Sequence, residues 1–99
     1  MSQPDLRIVD TELFGPVLCV QRFKTEEEVL SLANDTEHGL AAGVFTQNSA
    51  RSLRMAGSVR AGIVWVNTYR AVSPIAEFGG VKGSGYGRES GFQAIYDYT

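Results

Sequence analysis

Three short apolar runs, separated by two segments with the length and punctuation of helices, constrain this chain more than any other feature. The first is Val17-Leu18-Cys19-Val20, carried on by Gln21-Arg22-Phe23. The second is Leu40-Ala41-Ala42-Gly43-Val44-Phe45-Thr46, and the third Ile63-Val64-Trp65-Val66-Asn67. Continuous apolar runs of this length, bounded by turn residues, read as strands, the first buried on both faces, the second with small residues that allow close approach of a helix, and the third apolar enough to be central. Thr25-Glu26-Glu27-Glu28 opens the first intervening helix. Its capping box sets Thr25 on the Glu28 amide and Glu28 on the Thr25 amide, and the three carboxylates suit the positive end of the helix dipole. Val29, Leu30, Leu32 and Ala33 supply an apolar side, and Gly39 is the expected stop. Asn48 or Ser49 caps the second helix. There Ala50, Leu53, Ala56 and Gly57 form the expected inner face, with Arg51, Arg54 and Arg60 turned away and Gly62 as the stop. The order β-α-β-α-β over residues 17–67 predicts the α/β class, with right-handed crossovers and a parallel sheet flanked by helices.

Composition bounds the rest. Ninety-nine residues make at most one domain, and a 43% apolar share suits a folded chain. Nine basic against 11 acidic side chains leave a net charge of −2. That is too little to drive binding to nucleic acid or to a membrane surface by charge alone. No run approaches the ~20 apolar residues of a membrane span, and residues 1–5 show no secretory h-region. With one cysteine, neither an internal disulfide nor a multi-cysteine zinc site is available, and a cytoplasmic setting is expected.

Residues 68–91 break the alternating rhythm. Six glycines fall between Gly79 and Gly91. A long irregular segment in a small domain is usually functional, and this one follows the third strand, where parallel sheets take their ligands. Gly79-Gly80-Val81-Lys82-Gly83-Ser84-Gly85-Tyr86-Gly87-Arg88 is not a P-loop, because Gly83 follows Lys82. Nor is it a G-x-G-x-x-G turn, because Arg88 stands where the third glycine belongs. It reads instead as a tightly folded loop whose glycines allow positive φ and close backbone contact. A short helix over Phe92 to Tyr96 is expected to close the chain.

Cys19 sits in an apolar run with no neighbouring His or Lys, so it reads as core and not as a nucleophile. His38, the lone histidine, reads as a surface residue beside a helix end, and Trp65 and Phe45 read as core. Glu12-Leu13-Phe14-Gly15-Pro16-Val17 differs from these. A carboxylate can accept two hydroxyl hydrogen bonds, as from a ribose diol, and an aromatic ring can pack on a flat heterocycle. By spacing alone, a turn with one exposed acid remains the simpler account.

Four segments resemble motifs of the aldehyde dehydrogenase superfamily, in order and over nearly the whole chain. Glu12 to Val17 resembles E-x-F-G-P-V. Asn34 through His38-Gly39-Leu40-Ala41-Ala42-Gly43-Val44-Phe45-Thr46 is similar to N-x-x-x-Y/H-G-L-A-A-x-V-F-T. Gly62-Ile63-Val64-Trp65-Val66-Asn67 resembles G-x-V-W-V-N, and Phe78 to Gly91 resembles F-G-G-x-K-x-S-G-x-G-R-E-x-G.

The resemblance implies that residues 1–99 form a C-terminal segment of such a catalytic domain, with 68–91 as an active-site loop. It implies oxidation of an aldehyde to a carboxylic acid through a cysteine thiohemiacetal, with NAD or NADP as coenzyme. Glu12 would hold the nicotinamide ribose hydroxyls, Phe14 would pack near the nicotinamide, and Phe78 and Val72 would line the aldehyde tunnel. The nucleophile and the glutamate base would lie outside these residues, so no catalytic residue and no metal ligand is assigned and the chain alone is expected to be inactive. Ala76-Glu77 replaces the more usual Ser-Pro at the tunnel mouth. The expected partners are aldehyde and coenzyme, with self-association of the 99-residue chain and a homo-oligomeric parent enzyme. In that chain residues 68–91 would be the less ordered part. The alternative is a stand-alone, non-enzymatic α/β binding module on the same scaffold.

Overall fold

A computed structural model describes residues 11–73, 76–92 and 94–97. Helix α1 (Glu26–Asn34) is followed by β1 (Ala41–Val44), α2 (Ser49–Ser58) and β2 (Ile63–Val66). A 3-10 turn at Lys82–Ser84 and a short helix α3 (Ala94–Asp97) complete the order. Helix α3 stands where a closing helix was expected, two residues later; Gln93 lies outside the described residues.

Helix α1 starts where the sequence places it. Thr25 is extended, and its hydroxyl accepts the Glu28 amide at 3.1 Å. The return arm of the box falls one residue earlier than predicted, because Glu28 accepts the amide of Lys24, at 2.8 Å, and not that of Thr25. The helix ends at Asn34, five residues before Gly39. Its last carbonyls need no glycine cap: Asp35 donates back to Ser31 and Leu32, and the Lys82 ammonium donates to the carbonyls of Asn34 and Thr36. Helix α2 is capped by Asn48, whose side-chain oxygen accepts the Arg51 amide at 2.9 Å. It ends at Ser58 because Val59 is extended, so Gly62 is not its stop. The inner face also differs from the expected one. Ser52, Met55, Ala56 and Val59, at i, i+3, i+4 and i+7, turn inward, while Leu53 is 77% exposed.

Strands β1 and β2 pair in parallel, from Ala41 opposite Ile63 to Val44 opposite Val66. Backbone bonds extend the ladder at both ends, from Gly62 to Gly39 and from Asn67 to Val44. At the far end a side chain continues it: Asn67 accepts the Thr46 amide at 2.9 Å and donates to the Thr46 carbonyl at 3.0 Å. The two helices run alongside in one direction. Near their N-terminal ends Glu26 joins Arg51 at 2.7 Å and Arg54 at 2.8 Å. At their C-terminal ends Asn34 donates to the Ser58 carbonyl and accepts the Arg60 amide.

The expected first strand is absent. Residues 11–23 are all exposed, and the backbone bond within them runs from the Val17 amide to the Gly15 carbonyl. A strand exists only through a partner's hydrogen bonds, and among the described residues no backbone ladder joins this run to another segment. The α/β class and the parallel sheet hold, but the sheet has two strands where three were expected. Cys19, read as core, is exposed with the rest of that run, and Phe45 is 70% exposed. Among the described residues the buried hydrophobic side chains are Met55 and Trp65. The chain exposes 8209 Å², against about 5500 Å² for a compact protein of its mass.

The ion-pair cluster makes a testable acid signature. The hydrogen bond from Arg54, then that from Arg51, lowers the Glu26 carboxyl from 4.5 to about 2. A carboxyl depressed in the folded state stabilises that state above its unfolded value and ceases to do so as pH falls through its folded value. The helix pair should therefore lose stability between pH 4.5 and about 2. Thermal unfolding followed by circular dichroism across that window should show the loss, and Glu26→Gln should flatten it; an unchanged profile in the variant would rule out this origin.

Candidate functional site at the carboxyl ends of the strands

The segment after β2 is held by Trp65. Its indole N–H donates to the Ala71 carbonyl at 2.6 Å, and its ring meets Tyr69 edge-on, with centroids 4.9 Å apart at 73°. Trp65 itself is fixed by the ladder opposite Gly43 and is 9% exposed. Residues 69–71 are thus tied to the sheet, and Val72 follows at once with its side chain 57% exposed.

The glycine-rich segment is folded back onto the first half of the molecule. The Gly39 carbonyl accepts both the Gly62 amide, at 2.9 Å, and the Val81 amide, at 2.8 Å. Gly83 donates to the Glu37 carbonyl, and the Ser84 hydroxyl accepts the Gly39 amide at 2.8 Å. Phe78 and Glu89 exchange two 2.7 Å backbone bonds, closing residues 78–89 into a loop. Arg88 spans it from within, donating to the Gly80 carbonyl at 2.8 Å. Close approach is the decisive role of its glycines. A Cβ on Gly62 would fall on the Gly79 carbonyl oxygen, and one on Gly83 would lie 2.7 Å from the Glu37 carbonyl oxygen.

The four predicted binding residues occupy three places. Glu12 and Phe14 lie on the exposed run before α1, with Phe14 97% exposed. Val72 follows β2, and half-buried Phe78 stands at the neck of the closed loop. An open cleft of about 470 Å³ lies at the carboxyl ends of β1 and β2, lined by Phe45, Thr46, Gln47, Ser49, Ser52 and Asn67, and so by none of those four. His38 is half-buried just past α1, its amide donating to the Thr36 hydroxyl. Among the described residues no cluster of three His, Cys, Asp or Glu could hold a metal, and no helix is long and apolar enough to cross a membrane. Sequence reasoning missed the clamping roles of Lys82, Ser84 and Asn67. The asparagine that ends the third apolar run was the available signal, because a polar residue there has a strand end to finish.

The family model of the aldehyde dehydrogenase family matches residues 1–99. The chain belongs to that family. It is 56% identical over 95 residues to the (Z)-2-((N-methylformamido)methylene)-5-hydroxybutyrolactone dehydrogenase of Acinetobacter baylyi, covering 96% of this chain and 20% of the relative. The crystal structure of PnpE from Pseudomonas sp. WBC-3 superposes with a TM-score of 0.90 at 52% identity, over 98% of this chain and 20% of that one. An NAD+ complex of aldehyde dehydrogenase from Bacillus cereus gives 0.91 at 47%, over 96% and 19%. The chain therefore spans about a fifth of the length of these relatives.

The contact between Gly62 and Gly79 carries a stability prediction. Gly62→Ala should destabilise the chain by about 1–3 kcal/mol, as overpacking against fixed backbone does. Gly57→Ala, in α2 with nothing near its Cβ, should be neutral or stabilising by up to about 1 kcal/mol. Urea midpoints of the two variants would check the contrast, and equal shifts would show that the loop does not pack there.

Proposed function

We propose that these residues serve an NAD-dependent aldehyde dehydrogenase that oxidises an aldehyde to a carboxylic acid. The observation that carries the reading is the match of the family model over all 99 residues. The similarity to an NAD+ complex supports NAD over NADP. Bound NAD+ would accept hydride from the substrate. The thiol nucleophile and the base are proposed to come from the remainder of the enzyme, as the family resemblance implies. Localisation in the cytoplasm is part of the same proposal.

The chain's own share is binding and positioning. The Glu12 carboxylate would accept the two ribose hydroxyls, orienting the nicotinamide. Phe14 would pack on its flank. The open surroundings of both side chains fit this use, since neither is engaged by the fold of its own segment. Val72 and Phe78 would line the approach of the aldehyde, Val72 through the Trp65 anchor and Phe78 through its paired bonds with Glu89. An apolar lining excludes water from the carbonyl before the chemical step.

Glu12→Gln keeps the shape but weakens charge-assisted bonds worth about 1.5–3 kcal/mol each. In the complete enzyme that carries these residues, it should raise KM for NAD+ or slow hydride transfer by about tenfold or more, with circular dichroism unchanged. Wild-type coenzyme kinetics in that variant would refute the role. The exposed apolar residues, Leu18, Val20 and Leu53 among them, support self-association of the isolated 99-residue chain. Sedimentation over a concentration series should show it, and a strictly monomeric species at high concentration would count against it.

A further inference from the structure

Four non-glycine residues among those described have left-handed backbone: Asn67, Arg70, Lys82 and Ser90. Such conformations are costly for residues with a side chain and concentrate at functional sites. Asn67 and Lys82 are explained by the bonds their side chains make, to Thr46 and to the end of α1. Arg70, at φ 62°, has no such bond. Its guanidinium lies 5.8 Å from the centroid of the Tyr69 ring, and it forms no ion pair with a carboxylate among the described residues.

The support beneath it is tied to the sheet. Trp65, set in the ladder, holds the Tyr69 ring on one side and the Ala71 carbonyl on the other. Arg70 lies between those two fixed residues. A guanidinium resting on an aromatic face keeps its N–H fork free at the edge, and that planar fork matches a carboxylate in a two-point bond. Arg70 is exposed, it follows the carboxyl end of β2, and it is two residues from Val72.

We infer that Arg70 is a specificity residue that pairs with a carboxylate at the far end of the aldehyde, so that the substrates are aldehydes bearing an acid group, such as semialdehydes of dicarboxylic acids. The inference rests on the aldehyde dehydrogenase reading above and names the substrate class for the same site.

The test is made on the complete enzyme with three aldehydes of similar size: succinic semialdehyde, butanal and the cationic betaine aldehyde. Arg70→Gly removes the guanidinium at a position whose backbone glycine adopts freely, so folding is retained. Wild-type enzyme should prefer succinic semialdehyde and take betaine aldehyde worst. In Arg70→Gly the ratio of kcat/KM for succinic semialdehyde to that for butanal should fall about tenfold or more, mainly through KM, as expected for loss of a charged hydrogen-bond pair. Arg70→Lys should recover part of it, and added salt should erode the wild-type preference. An unchanged ratio in Arg70→Gly, or an equal loss with both substrates, would overturn the assignment while leaving the dehydrogenase reading intact. Failure of the wild-type enzyme to oxidise any of the three would overturn that reading and this inference with it.

Discussion

One carbonyl oxygen, that of Gly39, accepts two backbone amides, and the described structure hangs from it. The Gly62 amide begins the parallel ladder, and the Val81 amide brings in the glycine-rich loop. The Gly39 amide is satisfied by Ser84 of the same loop, so both polar groups of one residue bind distant chain. Because buried backbone groups must find partners, this residue sets where the loop lands. Lys82 and Gly83 then reach the last carbonyls of the α1 region without further search.

The sheet is narrow for what is asked of it. Two four-residue strands pack against α2, α1 lies against α2 and not against the sheet, and the buried hydrophobic side chains among the described residues are Met55 and Trp65. Apolar side chains that would serve a wider sheet, such as Leu18 and Val20, remain exposed at 86% and 81%. Hydrophobic burial scales with area removed from water, so this arrangement gains little from those residues. What holds the helices in place is directional instead: the Glu26 cluster near one end and the Asn34 bridge at the other.

Local signals were legible in the sequence wherever the cause was local. Thr25 and Asn48 cap their helices because an oxygen two or three residues upstream of an amide is enough. The second and third apolar runs became strands because each lies beside the other. The first did not, since strand propensity is a property of a surface that needs a neighbour. Helix ends were misplaced for a related reason: Lys82, 48 residues from Asn34, took the role expected of Gly39. At the candidate site, the family resemblance, and not spacing, pointed to Glu12, Phe14, Val72 and Phe78. It could not reveal the Trp65–Ala71 bond, which depends on a turn of the chain that only the fold makes.

Asn67 has a mechanical consequence. Its side-chain amide is a peptide group in all but connectivity, and it fills one rung of the ladder against Thr46. Thr46 stands two residues before the cap of α2, and Asn67 three residues before Arg70. The start of one helix and the segment carrying the arginine are therefore geared through a single amide plane. Aspartate has the same size but lacks the donor nitrogen, and would set a carboxylate oxygen against the Thr46 carbonyl. A change of one atom would thus remove one of the two side-chain bonds between loops that no covalent path shorter than twenty residues connects.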